Sequence, residues 1–144
     1  LRAENDGGEL SLLHLDLAGV RTISDRNSRE EGDRLLVSVA DALRAQTGKD
    51  DRLARLGGDA FAVLLPGVGA AEALAMAEKL QRTIKERLAR NKWPVTLCIG
   101  AITFQALPDD ADTMLAFAEA AMAEAKRDGK DAIFQDIIDA AALA

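Results

Sequence analysis

Two carboxylates, Asp16 and Asp59, are the residues in this chain best placed to do chemistry. Asp59 lies in Gly57-Gly58-Asp59-Ala60, which interrupts the alternating run LARLGGDAFAVLLP from Leu53 to Pro66. Alternation on both sides of a diglycine reads as a β-hairpin. Adjacent glycines permit the positive φ values of a tight turn and carry no side chain to fend off a phosphate. Asp16 stands near the end of a second run, ELSLLHLDL from Glu9 to Leu17, an apolar central strand punctuated by Ser11, His14 and Asp16. Laid side by side, the two strands make the carboxylates neighbours. A pair of oxygen ligands suits Mg²⁺, a cation that commonly keeps company with substrate phosphates. The plain alternative is a surface hairpin in which Asp59 only favours turn geometry.

Positioning these residues requires a sheet and helices to cover it. Ala18 to Asn27 reads as a loop. Ser28 then caps a helix through Glu31 in an S-x-x-E arrangement, with Leu36, Val39, Ala40 and Leu43 as its apolar stripe and an end near Gln46. Gly48 to Asp51 is a polar connection to the hairpin, whose strands run over Arg52 to Leu56 and Phe61 to Leu65 before Pro66 and Gly67. Leu74, Ala77, Leu80, Ile84 and Leu88 recur at helical spacing within Ala70 to Arg90, the mark of an amphipathic helix. A strand from Val95 to Phe104, a helix from Asp112 to Arg127 closed by Gly129, and a short strand from Ala132 to Phe134 follow. This order implies an α/β protein, an α+β sandwich with a palm-like, central, mainly antiparallel five-stranded sheet flanked by helices and a site at one end. Residues 1–135 form one domain, and 136–144 read as a short Ala-rich helix or the start of a linker to another domain.

With 144 residues, 49% hydrophobic and 29% charged, the chain buries a real core without disulfides or metal staples. A net charge of −6 argues against a general nucleic-acid or anionic-membrane surface, while leaving room for an anionic small ligand held by a local basic cluster or a bound cation. Cys98, the one cysteine, falls inside an apolar run and reads as a buried, reduced thiol in a cytoplasmic setting. No stretch approaches the roughly 18 apolar residues of a membrane span, so this segment implies no membrane insertion. The start at Leu1 reads as a module excised from a longer parent, one that a membrane anchor elsewhere in it would be compatible with.

RLGGDAF, Arg55 to Phe61, resembles the signature of the GGDEF family of diguanylate cyclases in a degenerate GGDAF form. The similarity recurs in order along the chain. LLHLDLAGVRTISD from Leu12 resembles the family's D-L-D-x-F-K-x-I-N-D segment, and EEGDRLL from Glu30 its G-D-x-x-L helix. VTLCIGA from Val95 resembles its V-T-x-S-I-G-x strand, and AEAAMAEAKRDGK from Ala118 its A-D-x-A-L-Y-x-A-K-x-x-G-R stretch. The resemblance implies the nucleotidyl-cyclase variant of the palm-like fold, and a reaction in which two GTP molecules are joined into cyclic di-GMP across a head-to-head pair of domains. It implies Mg²⁺ held by Asp16, Asp59 and the backbone carbonyl of Leu17, with Asp59 in the catalytic set. It places Gly57 and Gly58 against the nucleotide, Gly19 in the loop that meets the terminal phosphates, Asp33 on guanine, and Lys126 on phosphate.

The departures from the family pattern cluster where turnover is most demanding. Ala60 stands where the family has a glutamate needed for turnover, and a methyl group neither coordinates a cation nor accepts a proton. Ala18 replaces the second aspartate of D-L-D, and Ser24 replaces the asparagine that reads guanine. Ser28-Arg29 replaces Gly-His; Glu119, Ala123 and Lys130 replace the late Asp, Tyr and Arg. Lys130 keeps a charge for phosphate but not the bidentate guanidinium fork. The product-inhibition motif R-x-x-D has Gly48 in place of its arginine and keeps only Asp51, so no inhibitory site is expected. These features imply a degenerate GGDEF domain of cyclic di-GMP signalling that binds GTP, or a related guanine nucleotide, with Mg²⁺ weakly and regulates a neighbouring domain, for example of EAL type. An active cyclase and a nucleotide-free interaction scaffold are the alternatives. His14 reads as a core or edge histidine, and Met76, Met114 and Met122 as packing residues. Asp50, Asp51, Asp109 and Asp110 read as solvated loop charges. Lys126 and Lys130 have a plain reading as helix-dipole compensation, and Asp33 as a first-turn helix carboxylate.

Overall fold

The computed structural model describes residues 8–143. The first seven residues of the domain expected over 1–135, and Ala144 of the tail, lie outside the described residues. Five strands form one sheet: β1 (Leu10–Ala18), β2 (Arg52–Gly57), β3 (Ala60–Pro66), β4 (Thr96–Phe104) and β5 (Ile133–Ile138). Their order is β2-β3-β1-β4-β5, and only the β4–β5 pair is parallel. The helices are α1 (Val20–Arg26), α2 (Arg29–Gln46), α3 (Ala70–Arg90), α4 (Ala111–Asp128) and α5 (Ala140–Leu143). A parallel pair needs a long crossover, and α4 supplies it. The mainly antiparallel, helix-flanked α+β sandwich read from the sequence is the fold observed.

The alternating side chains of β1 divide the core in two. Leu13, Leu15 and Leu17 join Val63, Leu97 and Ile99 in a large apolar cluster under α2 and α3. Leu12 faces the other way, with Ala62, Ile102 and Phe104 beneath Ala118 and Ala121 of α4. At Gly100 a Cβ would sit 3.0 Å from that of Ala121 and 3.1 Å from the Met122 nitrogen, so a bare α-carbon lets α4 lie this close to β4. Two polar groups in β1 are satisfied internally. The Ser11 hydroxyl donates to the Val68 carbonyl at 2.6 Å and pairs with the Thr103 hydroxyl at 2.8 Å. His14 is buried with Nδ1 3.3 Å from the Ala118 carbonyl, the core histidine expected. Cys98 is likewise buried and free.

The hairpin, α2, α3, β4 and α4 fall where their periodicity places them, within one or two residues. Elsewhere the structure corrects the reading. The segment from Ala18 to Asn27 is not all loop, because α1 forms within it on two buried anchors, Val20 and Ile23. One helical spacing in seven residues is too little periodicity to read. The stripe of α2 is rotated, with Leu35 and Ala42 buried while Leu36 and Ala40 are only partly covered. Ser28 caps α2 by accepting from the Glu31 amide at 3.1 Å, but the Glu31 carboxylate does not return the bond. It accepts from Trp93 Nε1 at 2.8 Å and pairs with Arg34. The last strand continues to Ile138 through residues read as tail, its edge position leaving Asp136 and Ile137 exposed and the apolar pattern faint. Asp110 is more than a solvated charge. It caps α4 by accepting from the Thr113 amide at 2.8 Å, a bond that holds its carboxyl below the usual carboxylate range.

Candidate functional site

The diglycine turn is a two-residue connection. Gly57 pairs with Ala60 across the hairpin, and Gly58 and Asp59 form the tip. Gly57 has φ 100° and Gly58 φ 51°, and a Cβ at either would meet nothing within 4 Å. The glycines therefore serve backbone conformation rather than relief from crowding, and they leave the outer face of the turn open. The ladder slips between Arg55 and Gly57, a bulge that puts Leu56 out toward solvent. Arg55 fastens the turn from behind, its Nε and a terminal nitrogen donating to the Gly58 carbonyl at 3.1 and 2.7 Å.

β1 lies directly beside β3, so the arrangement required by the two carboxylates is met in the backbone. Asp16 stands opposite Ala60, and the Leu17 N–H donates to the Asp59 carbonyl at 3.0 Å. Directly opposed residues of antiparallel strands share a face at a Cβ separation of about 5 Å. The Ala60 methyl group therefore occupies the position on Asp16's side of the sheet where a longer acidic residue would add a third carboxylate. Asp16 also faces α4, and its carboxylate is paired with the Lys126 ammonium. The Asp59 carboxylate is partly buried and has no hydrogen-bond or ion-pair partner among the described residues.

The other sequence-predicted residues gather at this same end of the sheet but not at one point. Gly19 has φ 109° and opens α1; a Cβ there would lie 3.2 Å from the Pro94 carbonyl, so its side facing Pro94 is packed. Ser24 of α1 rests against Gly32 of α2, its hydroxyl where a Cβ on that glycine would be. The next residue, Asp33, is exposed and lines a cavity of about 450 Å³ between α2 and the hairpin, together with Leu36, Arg44, Leu53, Arg55 and Phe61. Phe61 and Leu53 belong to the α2–α3 side of the sheet, whereas Asp16, Ala60 and Lys126 belong to the α4 side. A ligand reaching both must pass around the sheet end beneath the Gly58-Asp59 tip. Lys130 is exposed beyond α4 and enters no ion pair among the described residues. The Asp51 carboxylate accepts from the Gly48 amide at 2.7 Å and is thus engaged locally.

Among the described residues no three His, Cys, Asp or Glu side chains assemble as a metal set. Two hard carboxylates at adjoining strand ends nevertheless suit one oxygen-preferring cation whose remaining ligands are main-chain carbonyls, phosphate or water. One residue that sequence reasoning missed is Asp131, at φ 58°. Its carboxylate accepts from the Leu97 amide at 2.8 Å and pairs with Lys85, while its carbonyl accepts from Gln81. Its position directly after a glycine and a lysine was the only signal, and its partners come from two distant elements.

The model of the family described as "Diguanylate cyclase, GGDEF domain" matches residues 1–132. The chain belongs to the GGDEF family. Relatives include the bifunctional diguanylate cyclase/cyclic di-GMP phosphodiesterase MucR of Pseudomonas aeruginosa, 33% identical over 135 residues covering 90% of this chain and 19% of MucR. The diguanylate cyclase TpbB of the same organism is 35% identical over 142 residues, covering 90% of this chain and 31% of TpbB. The crystal structure of the TpbB GGDEF domain superposes with a TM-score of 0.77 at 33% identity, covering 92% of this chain and 85% of that one. The active GGEEF domain of a Vibrio cholerae diguanylate cyclase shares the fold, with a TM-score of 0.79 at 22% identity over 93% of this chain and 86% of that one. The chain thus spans between about a fifth and two fifths of the length of the curated relatives it matches. This is a diguanylate cyclase-type domain of cyclic di-GMP signalling. GGDEF domains of this type bind GTP and generally use Mg²⁺. No helix among the described residues is long and apolar enough to cross a membrane.

Proposed function

We propose that this GGDEF domain binds GTP with Mg²⁺ weakly and acts as a regulatory module with little or no cyclase activity of its own. The observation carrying this reading is the methyl group of Ala60 in register with Asp16. Phosphoryl transfer relies on positioning and on charges that offset those of the phosphates. Bound Mg²⁺ would supply that offset at Asp16, Asp59 and the Leu17 carbonyl. The other roles follow from the resemblance to the family's motifs. Gly57 and Gly58 leave the turn open to a nucleotide, and Gly19 lies in the segment that would meet terminal phosphates. Asp33 would accept hydrogen bonds from guanine beside Ser24, and Lys126 and Lys130 would meet phosphate. A carboxylate missing at position 60 subtracts negative charge and a proton acceptor from this set, and a positioned acid or base is worth about 10²–10⁴ in rate.

A regulatory role fits a domain that would keep a ligand site without turnover and that spans only about a fifth to two fifths of the length of its curated relatives. Its natural partners are a neighbouring domain in the same chain, such as a phosphodiesterase of EAL type, and a second copy in a homodimer. The combination of two activities in MucR supports the first. Incubating concentrated protein with GTP and Mg²⁺ tests the reading, with Asp59→Ala as control. Cyclic di-GMP is expected at the background level of that control. Ala60→Glu is expected to raise product without restoring a full cyclase, because Ala18 and Ser24 remain. Robust Asp59-dependent product from the unaltered chain would instead make it an active cyclase.

A further inference from the structure

We propose that Lys126 is the resident counter-cation of Asp16, which a divalent cation must displace to enter the site. The inference rests on Asp16 and Asp59 being that cation's ligands, and it adds a regulation of the site. Four of the ion pairs between described residues lie within single helices, three or four residues apart: Arg21–Asp25, Arg34–Glu31, Arg44–Asp41 and Arg127–Glu124. Lys126–Asp16 instead crosses from α4 to the end of β1 and engages the one side chain that a cation at this site would need first. Nothing else among the described residues bonds the Asp16 carboxylate.

The pair is suited to exchange. Asp16 is 22% exposed while Lys126 is 54% exposed, so the ammonium end remains in water and swings away at little cost. With the lysine in place, Asp16 and Asp59 leave the site one negative charge; with a divalent cation in its stead, the carboxylates are neutralised. The released ammonium then lies on a side chain long enough to meet a phosphate, so cation entry and anion capture become one event. An additional carboxylate at position 60 would tip the competition toward the metal. Alanine leaves it balanced toward the lysine.

Mn²⁺ binding to the nucleotide-free protein, followed by electron paramagnetic resonance at low ionic strength, tests the exchange. Lys126→Met keeps the length of the side chain and removes its charge, and is expected to tighten Mn²⁺ binding about three- to tenfold. Lys126→Gln should do the same, which guards against a fault peculiar to methionine. Adding Asp16→Asn to either variant should abolish the gain, and Mn²⁺ should broaden the amide resonances of Leu17 and Asp59 in the unaltered chain. Equal or weaker binding after Lys126→Met would overturn the proposal while leaving the cation site intact. A gain that survives Asp16→Asn would also overturn it, because the lysine would then act elsewhere. Absence of Mn²⁺ binding in every protein would remove the cation site along with the exchange.

Discussion

Two lysine–aspartate pairs join separate elements at the same end of the sheet, one on each face, and they are built to opposite purposes. Asp131 is 24% exposed and Asp16 22%, so burial does not distinguish them. The number of partners does. Asp131 takes the Leu97 amide and Lys85 on its carboxylate and Gln81 on its carbonyl, closing the loop after α4 onto β4 and α3. Among the described residues Asp16 has Lys126 alone. Groups held from several directions stay where they are, whereas a carboxylate with a single, half-solvated partner is available to a ligand. The contrast separates a structural clamp from a site without recourse to the chemistry of either residue type.

Stability measurements break or sharpen this contrast, and the largest effect belongs to the clamp. Asp131→Ala strands the Leu97 amide and places a Cβ-bearing residue without local side-chain hydrogen bonding at positive φ, so urea unfolding should show a loss of about 2–3 kcal/mol. Asp131→Asn keeps an acceptor and should lose less. At the open turn, Gly58→Ala meets no neighbouring atom, and only its left-handed backbone resists the change. The same experiment should give about 1 kcal/mol there, and less for Gly58→Asn. Lys126→Met should fall within about 0.5 kcal/mol of the unaltered chain, as for an exposed pair. A large loss at Lys126 with a negligible one at Asp131 would reverse the assignment of the two pairs.

The extent to which the sequence announced all this follows from how far each feature spreads along the chain. α3 carries five apolar residues at helical spacing and the hairpin carries alternation on both sides of its glycines, so both were legible. The neighbouring placement of Asp16 and Asp59 also followed, since it needs only β1 beside β3. α1 has two inward residues and β5 an exposed edge pattern, too little for periodicity to register. The Ser28-x-x-Glu31 spacing indicated the cap but not that Trp93, far along the chain, would take the glutamate. Asp131 and the Lys126–Asp16 pair were hidden for the same reason, because each is defined by partners from elements that only the folded sheet brings together.

Calorimetric titration of the protein with GTP and Mg²⁺ tests the central claim, a retained nucleotide site gathered around Asp16 and Asp59, most directly. Saturating heat at high micromolar to millimolar GTP, lost in Asp59→Ala, is the predicted result. Absence of heat at millimolar GTP would contradict it and leave the domain a scaffold for interactions alone.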